Sequence, residues 1–420
     1  MGTSFIEYNP NQSYLLPPSP SDWLPEDHLA YFIRDTIEEL NLSKFYAQYQ
    51  GDGRRNQPYN PRMLLQVLLY GYCTGVFSSR KIAKKIVEDI AFRVLSGGNQ
   101  PHHTTLCKFR EAHLQDFEDI FRQMLEIARE AGLCSLGVVA IDGSKIKANA
   151  SRHKAMSYDR MKSSEKKLKA EIAEITRRAR GEDAAEDVEF GEEFRGDELP
   201  QELSRRATRL ATIKAAKERL EQRAKQEKQA LPEDKAQENF TDSDSRIMKT
   251  AQGDFQQCYN SQIAVDADNQ LIVANSVTQN ASDCHSLLPM LEEIEQVNGQ
   301  VPDTTLADAG YKSETNFEAL DNKNIKALVS IGREGKTSRP TGANKKLTRR
   351  MRRKLKSKKG KKLYKRRKAI VEPVFSWIKQ VLGFRRFSVR TLPKVSGEWS
   401  LICCAVNLKR LCSMISWTTA

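Results

Sequence analysis

A chain of 420 residues exceeds one ordinary core and is long enough for two or three domains. Its formal net charge of +14 favours a polyanionic partner, because neutralising phosphates releases condensed counterions. No stretch approaches about 18 apolar residues, the N-terminus has no basic or apolar leader pattern, and the eight cysteines form no CxxC or zinc-ligand spacing. These absences argue against a membrane span, a secretory signal and a zinc finger, and predict a cytoplasmic protein with reduced thiols.

Residues 1–24, rich in Pro, Ser and Asn, read as an extended arm. From 25 to 133 the pattern is helical. Pro25 suits a first helical position, and Leu29, Phe32, Ile33, Ile37 and Leu40 recur at helix spacing. A second helix starts at Asn60-Pro61. Ser78 or Ser79 caps a third, with Ile82, Ile86 and Ile90 on one face and Arg80, Lys81, Lys84 and Lys85 on the other. Thr104 or Thr105 opens a fourth, and His102-His103 reads as a turn, not a metal site. Short helices with basic outer faces suit a helix-turn-helix-like DNA reader, with Arg80, Lys81 and Lys84 as contacts, but equally suit any small helical domain.

The period then changes. Leu136–Ile141 is a short apolar run closing at Asp142-Gly143-Ser144, the pattern of a buried strand and a turn. Residues 260–266 and 271–278 form a predicted hairpin, and Thr304–Ala307 a strand ending at Asp308. A helix capped by Ser313 and a strand over Ile325–Ile331 follow. This alternation predicts an α/β core with a mixed sheet, covering 134–154 and 246–412 and preceded by the all-helical domain.

A charged insertion occupies 155–245. Its middle, Glu182 to Glu198, has nine acids against one Arg and is expected to be a solvated, disordered loop. Its Ala-, Lys- and Glu-rich flanks fit either an antiparallel helical hairpin or loosely ordered single helices. Between Lys345 and Lys368, 16 of 24 residues are Lys or Arg and none is acidic. An amphipathic helix over 369–382 and a final helix over 399–412 complete the prediction.

Phosphodiester cleavage and transfer need a nucleophile, a stabilised leaving oxygen and neutralised charge on phosphorus. Two Mg²⁺ ions held by carboxylates supply all three. Asp142 and Asp308 each close a predicted strand, with glycines close behind them, and Glu372 lies on the predicted helix with Lys368 four residues before it and Lys379 seven after. The order and basic setting of the three acids, not any one of them, carry the prediction. Pro373 inside this helix removes a donor and either kinks it or marks its first turn.

Several segments in this order resemble the DDE transposases of bacterial insertion sequences, most closely the IS1182-like group of the wider IS4/IS5-like assemblage. They are NPRMLLQVLLYGYCTGVFSSRKIAKKI with HHTTLCKFR, VVAIDGSKIKANAS, DSRIMKTAQGDFQQCYNSQIAVD with SVTQNASDCHSLLPML, TLADAGYKSETNF, and YKRRKAIVEPVFSWIK. The resemblance spans about residues 15–412. It implies an RNase H-like fold and a metal-binding catalytic triad of Asp142, Asp308 and Glu372, served by two Mg²⁺ ions with Mn²⁺ as a substitute. It further implies cleavage at inverted-repeat ends, transfer of the freed 3′-OH into target DNA, and a homodimer in the active complex. The Glu motif of such enzymes carries Tyr, Arg, Glu and Lys at set spacings. Lys379 matches, Tyr364 is shifted one residue outward, and Lys368, beside Arg366 and Arg367, stands where the family has Arg. Tyr364, Arg367, Lys368 and Lys379 are thus expected at DNA, and Asp283 is expected either to support the site or to cap a helix. The competing readings are a DNA-binding derivative without catalysis, another metal-dependent nuclease, and a packaging protein.

Overall fold

In a computed structural model, the described residues are 19–49, 57–190, 201–226, 229–250, 252–332 and 345–418. Of the predicted arm, residues 1–18 lie outside them, and Pro20–Trp23 forms a short 3-10 turn.

Seven helices come first: α1 (Leu29–Glu38), α2 (Ser43–Tyr46), α3 (Pro61–Cys73), α4 (Ser79–Glu88), α5 (Ile90–Leu95), α6 (His103–Ala112) and α7 (Phe117–Glu130). The boundaries follow capping chemistry more than apolar spacing. α1 starts after His28, not at Pro25, because the His28 imidazole accepts from Ala30 N. α3 begins as expected, with Asn60 as its cap and Pro61 in its first turn. Ile90 does not extend the Ile82–Ile86 face. Asp89 accepts from Ala91 N and Phe92 N, which ends α4 and starts α5. α6 is capped by His102, whose ring nitrogen accepts from Thr104 N, so neither threonine is the cap.

The second half is built on β1 (Val138–Lys147), which runs on through Asp142 instead of ending there. Next come β2 (Ala155–Ser157), α8 (Tyr158–Phe190), α9 (Gln201–Gln226), β3 (Gln237–Asn239), β4 (Arg246–Lys249), β5 (Phe255–Asp266) and β6 (Ile272–Thr278). Then follow α10 (Leu287–Asn298), β7 (Thr304–Ala307), α11 (Glu314–Asn322) and β8 (Ala327–Val329). Last are α12 (Lys346–Lys356), α13 (Lys358–Lys365), α14 (Arg367–Ser376) and α15 (Leu392–Thr418).

The main sheet is mixed. β5 pairs antiparallel with β1 along one edge and with β4 and β6 along the other, while β1, β7 and β8 run parallel. The predicted hairpin of 260–266 and 271–278 is the β5–β6 pair. β1 alternates its side chains between the two faces of the sheet. Ala140 and Ile146 join a buried cluster with Leu306, α14, α15 and the N-terminal helices, headed by Tyr72, Phe117 and Trp399. Val139 and Ile141 face a second cluster with α10, α11 and Tyr311. The helical half and the sheet therefore share continuous apolar packing.

The insertion folds as an antiparallel hairpin. Tyr158 bonds Glu221, Lys217 bonds Glu165, and Arg206 bonds Glu171, so residues progressively further along α8 meet earlier ones of α9. A small core of Met156, Tyr158, Met161, Ile213, Ala216 and Leu220 closes its base. The disordered loop expected over 182–198 is corrected in its first part, since α8 continues to Phe190; residues 191–198 lie outside the described part. Among the described residues all cysteines are free thiols, and no helix is long and apolar enough to cross a membrane.

Candidate active site

Parallel pairing sets Ile141 beside Ala307, so Asp142 and Asp308 are the next residues on neighbouring strands. They belong with Ala140, Leu306 and α14 on one face of the sheet. Asp142 Oδ1 accepts from Gly143 N at 2.8 Å and Oδ2 from Arg367 Nη1 at 3.3 Å. Asp308 caps the 3-10 turn Ala309–Tyr311, accepting from Gly310 N at 2.7 Å. Burial, and then the nearby charge of Asp308, push the Asp142 carboxyl up to about 6, against the opposing pull of Arg367. A strand-borne carboxylate held partly protonated by burial and by a neighbouring acid is a common signature of a functional site.

The opposite face supports these acids. Asp283 accepts from Lys145 Nζ at 3.1 Å, Asn260 Nδ2 at 2.6 Å and Gln262 Nε2 at 2.9 Å. The buried Tyr311 hydroxyl donates to Gln262 Oε1. Gly143 is what lets these groups come so close. A Cβ there would run into Gln262 Nε2 and stand 2.8 Å from Asp283 Oδ1, and one on Gly310 would sit 3.2 Å from Asp283 Oδ2. Asp283 therefore lies between the two Asp-Gly motifs, and the side-chain cap of its own 3-10 turn is Ser282. Asn260, Gln262 and Tyr311 carried no signal in the sequence, because a buried polar strand residue looks unremarkable until its partners arrive from distant segments.

α14 packs on the Asp142 face through Ile370, Val371, Val374 and Phe375. Pro373 sits inside it, and a π-helical turn, Trp377–Val381, follows directly. Arg367, expected at DNA, is buried beside Asp142 and paired with it. The Lys379 ammonium donates to Ser144 Oγ, two residues along β1 from Asp142, and burial lowers its pKa while Asp142 opposes that shift. Glu372 is exposed and, among the described residues, makes no hydrogen bond or ion pair, so the expected flanking by Lys368 and Lys379 is not realised as contacts. Lys368 is exposed and Tyr364 half-buried against the core. On α4, Arg80, Lys81 and Lys84 are exposed, with Lys84 3.5 Å from Glu88. The structure thus brings Asp142, Asp308, Arg367 and Lys379 together and leaves Glu372 apart, further along the same helix.

Asp142 and Asp308 fit a hard, oxygen-seeking dication such as Mg²⁺, which typically takes one or two protein carboxylates and keeps much of its water. Their mutual repulsion, visible in the raised Asp142, is the kind a bound cation relieves. Among the described residues no group of three acidic, His or Cys side chains is close enough to hold a metal.

Two family models match the chain. The Transposase DDE domain matches residues 221–408, which include Asp283, Asp308 and Glu372, and the Transposase domain (DUF772) matches residues 18–112. Asp142 lies between the two matches. This chain belongs to the DDE transposases, and the pairing of these two domains is typical of the IS1182 group. No curated protein and no solved structure was matched. DNA is accordingly its partner.

Proposed function

We propose that this transposase cuts DNA at the inverted-repeat ends of its own insertion sequence and joins the freed 3′-OH ends to target DNA. The carrying observation is the pair Asp142 and Asp308, set side by side on parallel strands and braced by Arg367. The sheet order supports an RNase H-like reading of the core, with β5 and β6 antiparallel to one another, β5 antiparallel to β1, and β1, β7 and β8 parallel. In this reading Asp142 and Asp308 would hold Mg²⁺, with Glu372, which stands apart from them in this structure, as the proposed third ligand; the ions would supply charge neutralisation at phosphorus when bound. Arg367 fixes the Asp142 carboxylate, and Lys379, anchored on Ser144, presents a cation beside it for a phosphate oxygen. Asp283 keeps the two Asp-Gly segments in register from the other face. Two copies bring two ends together.

The test is cleavage of a plasmid carrying the element's flanking repeats, with and without Mg²⁺, in wild type and Asp308→Asn. Cuts at the repeat ends that require metal and vanish in the variant establish the chemistry. A second reading, a DNA-binding derivative without catalysis, is favoured by one observation: Glu372 stands exposed and without contacts to either aspartate. Tight end binding with no cleavage in any divalent metal would select it.

A further inference from the structure

A second site lies in the helical half. α4 and α6 start side by side around a cavity of about 590 Å³ lined by Ser79, Arg80, His103, Thr104, Lys108 and Arg110. The N-terminus of α4 points its unpaired amides here, and Ser78 at its cap makes no side-chain bond to them. Ser79, 8% exposed, has a hydroxyl with no hydrogen-bond partner. Arg110, 6% exposed, donates Nη1 to Tyr72 OH and Phe77 O, but its Nε has no partner. Glu398 accepts from Tyr72 and acts on the charge of this arginine without a hydrogen bond to it. Buried donors normally find acceptors, so two unpartnered ones beside the α4 N-terminus, among exposed cations, are the donor set of an anion-binding site. The opening fits a tetrahedral oxyanion better than a flat carboxylate, because its donors converge from two helices and three cationic side chains.

We propose that this cavity grips a backbone phosphate of duplex DNA, bound by Ser79 Oγ, the Arg110 guanidinium, Lys108 and the α4 amides. The assignment rests on the DNA reading above but names a different contact from the exposed Lys81–Lys84 face. Being a phosphate grip, it positions the helical half on DNA without reading sequence.

The experiment is fluorescence anisotropy of the full chain with a duplex of unrelated sequence, in EDTA so that no cleavage intervenes, over a salt series. Ser79→Ala is expected to weaken binding about fivefold with an unchanged melting temperature, since the hydroxyl it removes has no partner among the described residues. Lys108→Gln is expected to lower the salt slope by about one. Ser79→Asp separates ligand binding from a structural role. An acid in the first turn favours the helix, so the melting temperature holds or rises while DNA affinity falls at least as far as in Ser79→Ala. Wild-type affinity and slope in all three variants would overturn the pocket and leave the proposed function standing. Failure of the wild type to bind any duplex would overturn both.

Discussion

At the scale of single residues, Asp142 holds the site's electrostatic tension. Its carboxyl is raised in the native state to about 6, from an ordinary value near 3.8, so the native state binds the proton more tightly than the unfolded chain. Its contribution is therefore fully present below about pH 4 and is lost as pH rises through about 6. Asp142→Asn, which cannot ionise, is expected to gain on wild type across that window, by at most about 3 kcal/mol, and to hold the gain above it. Melting temperatures from about pH 4 to pH 8 in chelator check this; a difference independent of pH refutes it. Added Mg²⁺ is expected to raise the melting temperature of wild type more than that of the variant. Gly143 makes a complementary case. Its Cβ-free backbone admits Gln262 and Asp283, both held in place by other bonds, so Gly143→Ala is expected to cost about 1–3 kcal/mol in chemical denaturation. The sequence shows a glycine directly after Asp142, but what approaches it comes from β5 and the turn at Asp283.

At the scale of elements, the basic run is two helices, not a tail. α12 buries Thr348 and Met351, and Thr348 bonds Glu314 while Arg350 bonds Asp321. Ser357 caps α13 by accepting from Gly360 N, and a side chain at Gly360 would strike the Lys354 carbonyl. The turn therefore packs the run onto the fold and leaves Lys356, Lys358, Lys359, Lys361 and Lys362 exposed together. Replacing these five by Gln is expected to weaken binding to every DNA sequence alike and to flatten its salt dependence, with little change in stability. Unchanged binding across a salt titration would make the run merely a solvated face. The amphipathic pattern of α14 was legible from its apolar spacing. The π-turn after it was not, because an added residue in one turn leaves composition and near-neighbour spacing almost untouched. That turn is why counting seven residues from Glu372 to Lys379 on an ideal helix predicts a shared face less reliably than usual.

At the scale of the whole molecule, the helical hairpin is an appendage with its own small core at its base, whereas the N-terminal helices share the main core with α14 and α15. Deleting 182–198, beyond that base, is expected to leave the melting temperature within a few degrees of wild type; a broad collapse would show that the tip supports the sheet. The N-terminal helices admit no such excision. Trp399 of α15 donates to Gln262 O in the middle of the sheet, and Tyr72 of α3 reaches Glu398, so the two halves share buried polar bonds as well as apolar area.

By itself the sequence determined the change from helices to a strand-and-helix core, the hairpin of β5 and β6, the caps at Asn60 and Ser313, and the two aspartates, because apolar period, turn residues and caps act over a few neighbours. Only the tertiary structure decided that β1 runs through Asp142, that His28 and Asp89 set helix boundaries, that Arg367 turns inward to Asp142, and that Asp283 braces both Asp-Gly motifs. Those outcomes depend on which distant segments share a sheet edge or a buried face. Parallel pairing brings residues 142 and 308 together across more than one hundred and sixty positions of chain, and no local pattern encodes that neighbourhood.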